Sequence, residues 1–238
     1  MQGTGRRWLV GLAVGLALAG IACHRKEPTS AAAAPSAAAG PAASQPPESS
    51  RAATEVTPAS VVRPPAPAVD PVVTFQTTAG EFQVRLFAAQ APQTVDNFLR
   101  NYVQRGFYDQ TIFHHVEPGV MLLAGGYTAE LEAKPTRAPI FNESRNGLYN
   151  RRGTLAMICD PQAPHSATSQ FFINLRDNPD LDFRPEEGGD VLGYCVFGEV
   201  IAGMEVVEQI ASRPTEAKGE FPRIPSPPVA ILSVRQVR

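Results

Sequence analysis

A sharp change in composition near residue 70 confines folding to the C-terminal part of this 238-residue chain. Residues 24–70 consist mostly of Ala, Pro and Ser, with almost no aromatic or bulky aliphatic side chains. Such a segment cannot bury enough apolar surface to offset the entropy lost on ordering, and its prolines interrupt any helix of alanines. We therefore predict a disordered tether over residues 24–70 and one folded domain over residues 71–238.

The residues before this tether have the pattern of a targeting segment. Arg6 and Arg7 precede an apolar run over residues 8–22 that is too short to span a bilayer comfortably. The run ends in small residues followed by Cys23, which resembles a bacterial lipoprotein signal whose cleavage leaves a lipidated cysteine. We predict a signal peptide over residues 1–23, a lipid anchor at Cys23 and a periplasmic location in the cell envelope. The alternatives are a plain secretory signal or an uncleaved anchor, with Cys23 incidental.

Alternating apolar and polar residues predict strands through most of the folded part. The predicted strands are residues 72–77, 81–87, 111–116, 120–123, 154–158, 170–175, 191–200 and 229–237. Two amphipathic helices are predicted, one that Thr94 caps and Gly106 ends, and one that follows Gly203. Because strands outnumber the helices, we predict a mainly β fold, a barrel or sandwich covered by two helices.

One predicted strand, within residues 166–175, has an unusual pair of faces. Successive strand residues point to opposite sides, so Gln170, Phe172 and Asn174 share one face, and the other face is uniformly apolar. An amide beside an aromatic ring suits a half-polar cleft better than a core. The alternative is an ordinary strand with Gln170 in solvent.

Charge and motifs argue against several classes of function. The net charge of −2 provides no basic field that would attract nucleic acid. The sequence has no glycine-rich phosphate loop, nucleophile elbow or cysteine-pair metal pattern. His114 and His115 are strand neighbours that should point to opposite faces, which predicts one buried histidine and one cleft histidine rather than a metal site. We therefore expect no metal and no cofactor.

Two other groups of side chains leave their roles open or argue for a structural one. The acidic residues within 177–190 lack the spacing of a calcium loop, so a solvated loop is predicted there. Cys159 and Cys195 could form a disulfide in an exported protein. The alternative is two buried free thiols, because sequence does not give the separation of the two residues.

Six short motifs occur in a fixed order in the folded part. They are Phe113-His114, Pro118-Gly119, Gly125-Gly126, Gly-Thr-Leu-Ala-Met at 153–157, Ser-Gln-Phe-Phe-Ile at 169–173 and Phe197-Gly198. In this order and spacing they resemble the cyclophilin-type peptidyl-prolyl isomerases, closest to the short bacterial periplasmic members. The resemblance runs from about Val72 to the C-terminus. It implies an eight-stranded antiparallel barrel capped by two helices, with Gln170 and Phe172 facing a groove for proline-containing peptides.

The resemblance also implies which residues act on the substrate. In that family an arginine directly after Phe-His donates to the prolyl nitrogen, and here that position is His115. His115 and Gln170 are therefore the implied catalytic residues. The implied substrate-binding residues are Met121, Ile158, Cys159, Phe172, Leu181 and Tyr194.

This chain departs from the family pattern at several of those positions. Val120 replaces an aromatic residue, Leu123 a glutamine, Cys159 an asparagine and Asp180 a Trp or Phe. An imidazole is shorter than a guanidinium and is largely neutral above a pKa of ~6.5. We therefore expect the protein to isomerise X-Pro bonds of exported proteins weakly. We also expect it to be a monomer. The alternative is a non-catalytic module that binds proline peptides or acts as a chaperone on the same scaffold.

Overall fold

The computed structural model describes residues 70–185 and 192–237. The predicted signal peptide, the lipidation site Cys23 and all of the predicted tether except Asp70 lie outside these residues. The strands are β1 (Val72–Thr77), β2 (Gly80–Leu86), β3 (Thr111–Glu117), β4 (Met121–Thr128), β5 (Thr154–Met157), β6 (Phe171–Asn174), β7 (Val196–Ala202), β8 (Thr215–Lys218), β9 (Phe221–Pro225) and β10 (Ala230–Val237). No helix within the two described ranges has the length and apolar character needed to cross a bilayer.

Eight of these strands close into one antiparallel barrel. Their order around the barrel is β1-β10-β3-β4-β6-β5-β7-β2, and each neighbouring pair is antiparallel. Helix α1 (Pro92–Asp96) continues as a π-helix (Asn97–Tyr102) and a 3-10 turn (Val103–Arg105), and helix α2 (Met204–Ala211) follows β7. The predicted barrel with two covering helices is confirmed.

The barrel interior is filled mainly by aromatic and branched side chains. Phe75 and Phe82 stack with ring centroids 4.7 Å apart, and Phe171 meets Phe75 and Phe98 edge-on. Gly125 lets β4 approach β6, because a Cβ at this residue would lie 2.8 Å from the carbonyl oxygen of Ser169. Its φ of +89° is also in the region that favours glycine.

Helix α1 begins two residues before the predicted cap. Pro92 occupies its first turn, a position that suits proline because no N–H is needed there. The prediction that Thr94 caps the helix is wrong, because a distant carboxylate does so. Glu143 accepts hydrogen bonds from the backbone N–H groups of Gln93 and Thr94 at 3.2 and 2.8 Å, and from the Thr94 hydroxyl at 2.7 Å. The predicted end at Gly106 is confirmed by its left-handed φ of 62°.

The strands β8 and β9 form a hairpin outside the barrel, and β9 packs against β3. No strand was predicted over residues 215–225, and β9 itself contains Pro222 and Pro225. Proline is tolerated in an edge strand, where its missing N–H breaks no ladder hydrogen bond. The hairpin adds a wall beside His115 that the predicted fold lacked.

Candidate functional site

A second apolar cluster, which we call the groove cluster, lies apart from the barrel core. Its buried members are Ala156, Phe172 and Val196, and its half-buried members are Phe87, Met121, Leu123, Leu148, Ile158, Leu181 and Tyr194. Across the ladders, Leu123 lies opposite Phe172 and Phe172 lies opposite Ala156. Phe171 and Ile173, the neighbours of Phe172 along β6, belong to the barrel core instead. Five of the six predicted substrate-binding residues therefore come together in one cluster.

Phe172 forms the floor of this cluster. We expected its ring to face an open groove, but only 2% of the residue is exposed. The ring is on the predicted side of the sheet, where Tyr194 meets it edge-on with centroids 5.5 Å apart. Met121, Leu181 and Tyr194, which pack against the same cluster, are half-buried and so more exposed than Phe172.

Gln170 lies just before β6, beside the groove cluster. Its side chain is half-buried and passes over Gly126, where a Cβ would lie 2.8 Å from the Gln170 Cγ and Cδ atoms. The backbone here is fixed by hydrogen bonds from the Ile158 N–H to the Gln170 carbonyl at 2.9 Å and from the Ser169 hydroxyl to the Gly125 carbonyl at 2.8 Å. Gln170 is thus held against the protein surface rather than standing free in solvent.

The two histidines lie at a β-bulge in β3. The β3–β4 register shifts between Phe113 and His115, and both Phe113 and Val116 lie in the barrel core. His114 and His115 therefore both leave the barrel interior, so the expected opposite orientation is wrong: the extra residue of a bulge interrupts the alternation. The predicted burial is confirmed, because His114 is 4% exposed and His115 is half-buried.

His115 lies at the edge of the groove cluster, opposite Leu123 across the β3–β4 ladder. Its Nε2 atom is 3.7 Å from Oε2 of Glu117, and Oε1 of Glu117 accepts a hydrogen bond from Arg223 at 2.6 Å. Burial is the main cause that lowers the pKa of His115 below 6.5, and the Arg223 charge lowers it further, while Glu117 opposes both. His115 is therefore mainly neutral at pH 7.

Neither partner of His115 was identified from the sequence. Glu117 is two residues along the same strand, which places it on the same face and was a usable signal. Arg223 comes from β9, 106 residues after Glu117, and no local pattern connects the two.

His114 is buried in an aromatic setting beneath the hairpin. Its ring centroid lies 4.9 Å from that of Tyr127 and 5.9 Å from that of Phe221. Its Nδ1 atom has no hydrogen-bond partner among the residues that the structure describes, and burial, more than the neighbouring His115, lowers its pKa from 6.5 to about 3. The folded protein thus keeps this histidine neutral.

We expect His114 to make the fold sensitive to acid. Between pH 6.5 and 3 the unfolded chain binds a proton at His114 that the folded chain does not, so stability falls as pH falls. At pH 5 the loss relative to pH 7.5 amounts to about 2 kcal/mol from this residue. Urea denaturation at both pH values gives the free energy of unfolding of the wild type and of His114→Phe. Carboxylate titration affects both proteins equally, so the difference between their pH dependences is the contribution of His114. Parallel pH dependence of the two free energies would contradict a buried neutral His114.

Cys159 lines a cleft of about 190 Å³ that adjoins the groove cluster at Leu181 and Tyr194. Pro161 and Pro164 form its other apolar walls. Cys159 and Cys195 are free thiols. Of the two alternatives, the structure therefore has two free thiols and no disulfide between these residues. Burial raises the pKa of Cys159 to about 11 and that of Cys195 to about 12. Both are therefore protonated at neutral pH, and Cys159 offers the cleft a mainly apolar surface.

Three asparagines beneath the groove hold its two flanking segments. Asn174 is fully buried and donates to the Asn150 side chain at 3.2 Å, and Asn178 donates to Asn174 at 2.7 Å. Asn178 also donates to the Val120 carbonyl at 3.1 Å, and Asn150 to the Leu181 carbonyl at 3.1 Å. The alternation argument placed Asn174 on the same face as Gln170, but this asparagine supports the groove from below.

Metal ligands do not gather anywhere in the described part of the chain: no three His, Cys, Asp or Glu side chains are close enough to hold an ion. Two acidic residues of the 177–190 segment instead accept hydrogen bonds from the backbone of residues 150–152. Asp177 accepts from the Arg152 N–H at 2.8 Å, and Asp182 accepts from the Asn150 N–H at 2.6 Å.

Comparison with known proteins places this architecture in a known context. The family described as cyclophilin type peptidyl-prolyl cis-trans isomerase/CLD matches residues 72–236. Peptidyl-prolyl cis-trans isomerase B of Escherichia coli is 48% identical over 165 residues, which are 68% of this chain and 98% of that protein. A peptidyl-prolyl cis-trans isomerase of Acinetobacter baylyi is 44% identical over 164 residues, covering 69% of this chain and 84% of its own.

Among solved structures, a cyclophilin type isomerase of Cryptosporidium parvum is similar with a TM-score of 0.53 and 25% identity. The match covers 71% of this chain and 98% of that chain. The same protein has been crystallised in the presence of the dipeptide Ala-Pro, where it is similar to this chain with the same TM-score.

Proposed function

This chain belongs to the cyclophilin-type peptidyl-prolyl cis-trans isomerase family, and on that premise we propose that it isomerises X-Pro bonds of exported proteins through His115 and Gln170. The observation that carries the proposal is the groove cluster, which gathers apolar side chains outside the barrel core directly beside both residues. An apolar pocket flanked by a few polar groups is the usual form of a small-ligand site.

The reaction is rotation about an amide bond whose resonance sets a barrier of ~18–20 kcal/mol. It needs no nucleophile, because the catalyst has only to bind the twisted amide better than the planar one. The proline ring packs on Met121, Leu181 and Tyr194. The Gln170 amide hydrogen-bonds the peptide backbone next to the ring, and an N–H of His115 donates to the prolyl nitrogen as that atom becomes pyramidal.

We propose that this reaction is slow. His115 is short and half-buried, and its lowered pKa leaves it mainly neutral at pH 7, so it is a weaker donor than a guanidinium. Loss of one well-placed transition-state donor costs ~10²–10³ in rate. If His115 donates as imidazolium, kcat/KM increases as pH falls from 8 to 6, most steeply at the acid end. A flat profile over this range, with the fold intact, would exclude that role.

Gln170→Ala tests the site directly. We expect it to lower kcat/KM for a proline tetrapeptide about tenfold, because the peptide loses a positioning hydrogen bond near the rotating bond. A protease-coupled assay measures the rate, and a urea titration confirms that stability is kept. Gln209→Ala, on the exposed face of α2, is the matched control and should leave the rate unchanged. Equal rates for the two variants would remove Gln170 from the mechanism.

One pair of observations favours a non-catalytic proline-peptide-binding or chaperone module instead. The floor residue Phe172 is covered, and His115 turns Nε2 toward Glu117. Such a module would bind a proline peptide in calorimetry and show no rate above the uncatalysed one in wild type and in His115→Arg alike. Measurable turnover by the wild type would decide for the isomerase, and turnover by His115→Arg alone would indicate a competent groove that lacks its donor.

We also propose that Cys23 carries a lipid and that residues 24–70 hold a monomeric isomerase domain away from the membrane. The proposal is supported by the signal-like sequence of residues 1–23. Labelled fatty acid should be incorporated into the wild type expressed in bacteria and not into Cys23→Ser. Equal labelling of both would contradict the anchor, and release of Cys23→Ser as a soluble exported protein would support it.

A further inference from the structure

Arg223 ends a row of side chains that runs from the β8–β9 hairpin to the groove cluster. It donates to Glu117 Oε1 at 2.6 Å, and the other oxygen of that carboxylate lies 3.7 Å from His115 Nε2. His115 lies opposite Leu123 across the next ladder, and Leu123 lies opposite Phe172. One carboxylate therefore connects His115 to a permanent positive charge from a strand outside the barrel.

Within residues 70–185 and 192–237, few charged groups act on His115. Glu117 faces it from its own strand and Arg223 from β9, while β4 places apolar Leu123 opposite it. His114, the remaining titratable neighbour, stays neutral in the physiological range because its pKa is about 3. Burial is the main cause of the lowered pKa of His115, and beside it the charge state of His115 depends on the balance between one carboxylate and one guanidinium.

We propose that Arg223 is a positioning residue for the isomerisation and acts through Glu117 on the orientation and charge state of His115. This inference rests on the proposed role of His115 as the donor. Arg223 holds the carboxylate in place, so the carboxylate can orient the imidazole. It also cancels the negative charge of Glu117, which would otherwise lie beside the position where a donor meets the prolyl nitrogen. Arg223 thus offsets, from β9, the negative charge that Glu117 places beside His115.

The first test is an NMR titration of His115 in the full chain. In Arg223→Gln the midpoint should move to higher pH, because nothing offsets Glu117. In Glu117→Gln it should move to lower pH, because the attraction of the carboxylate is lost. Arg223→Lys keeps the charge and should restore the wild-type midpoint. Arg235→Gln is the matched control, since Arg235 pairs with Asp109 at 2.7 Å, on the β10 side of the barrel.

The second readout is the pH profile of kcat/KM. Arg223→Gln should lose about three- to tenfold in kcat/KM at pH 6, because the carboxylate no longer holds the imidazole in place, and the deficit should shrink toward pH 8, because the raised midpoint of the variant keeps a larger fraction of His115 protonated there. In a His115→Gln background the same substitution should no longer change the pH dependence.

Unmoved midpoints in Arg223→Gln and Glu117→Gln, or an equal shift in Arg235→Gln, would overturn the inference. If the midpoints move in opposite directions but the wild-type rate is independent of pH, the coupling stands, and the proposed donation by the His115 imidazolium is what fails.

Discussion

Replacing His115 by arginine should raise kcat/KM for a proline tetrapeptide about 10²-fold at pH 7.5. An arginine is always charged and reaches farther into the groove than an imidazole, and its fork of donors can meet the prolyl nitrogen while it keeps a second contact. The side chain of His115 is 24% exposed, which gives a longer side chain a route to the surface beside Leu123. Most of the gain should be in kcat, because the new interaction forms in the twisted state.

The pH profile of this variant provides a second, independent check. The wild-type rate should depend on pH between 8 and 6, and the His115→Arg rate should not, because a guanidinium keeps its proton throughout. His165→Arg is the matched control, since it adds the same side chain at an exposed histidine. A gain below threefold in His115→Arg would show that the groove, rather than its donor, limits the rate. Capture of the new guanidinium by Glu117 is then tested with the double variant His115→Arg, Glu117→Gln.

Period-two alternation predicted a mainly β fold, a barrel or sandwich, and separated the two faces of β6, while the resemblance selected the barrel. Phe171 and Ile173 lie in the barrel core and Phe172 in the groove cluster, as strand geometry requires. The motif order then identified Met121, Ile158, Leu181 and Tyr194, which the structure brings into that same cluster. Each of these predictions depended on residues close together in sequence or on a pattern of motifs along it.

The features that could not be predicted depend on contacts between distant segments or on a local irregularity. The bulge at His114 breaks the alternation, and a single inserted residue leaves no distinct composition signal. Arg223 reaches Glu117 only because β9 packs on β3, and the prolines of β9 argued against a strand there. Glu143 replaces Thr94 as the cap of α1 across 49 residues of sequence. The partners of Glu117 and of the first turn of α1 are thus set by the tertiary fold, and the orientation of the two histidines is set by the bulge.

Asn174 is the clearest example of such a partner, because its polar side chain is fully buried under the groove. It donates to Thr154 Oγ1 at 2.9 Å and to the Asn150 side chain at 3.2 Å, and it accepts from Asn178 at 2.7 Å. A buried polar group that loses its partner costs about 1–3 kcal/mol. Removal of Asn174 takes one hydrogen bond from each of three side chains, those of Thr154, Asn150 and Asn178. Each of these side chains keeps at least one other hydrogen bond.

Asn174→Leu should therefore lower the free energy of unfolding by about 3 kcal/mol or more, measured by urea denaturation at pH 7.5. Asn101→Leu is the matched control, because Asn101 is half-buried and donates one side-chain hydrogen bond, to Asn97 at 3.0 Å. This control substitution should lower the free energy of unfolding by about 1 kcal/mol or less. Asn178 and Asn150 anchor the Val120 and Leu181 carbonyls, so the folded Asn174→Leu protein should also show a raised KM. A loss of stability with an unchanged KM would mean that the asparagine cluster supports the barrel alone, and that the two groove walls are held by their own apolar contacts.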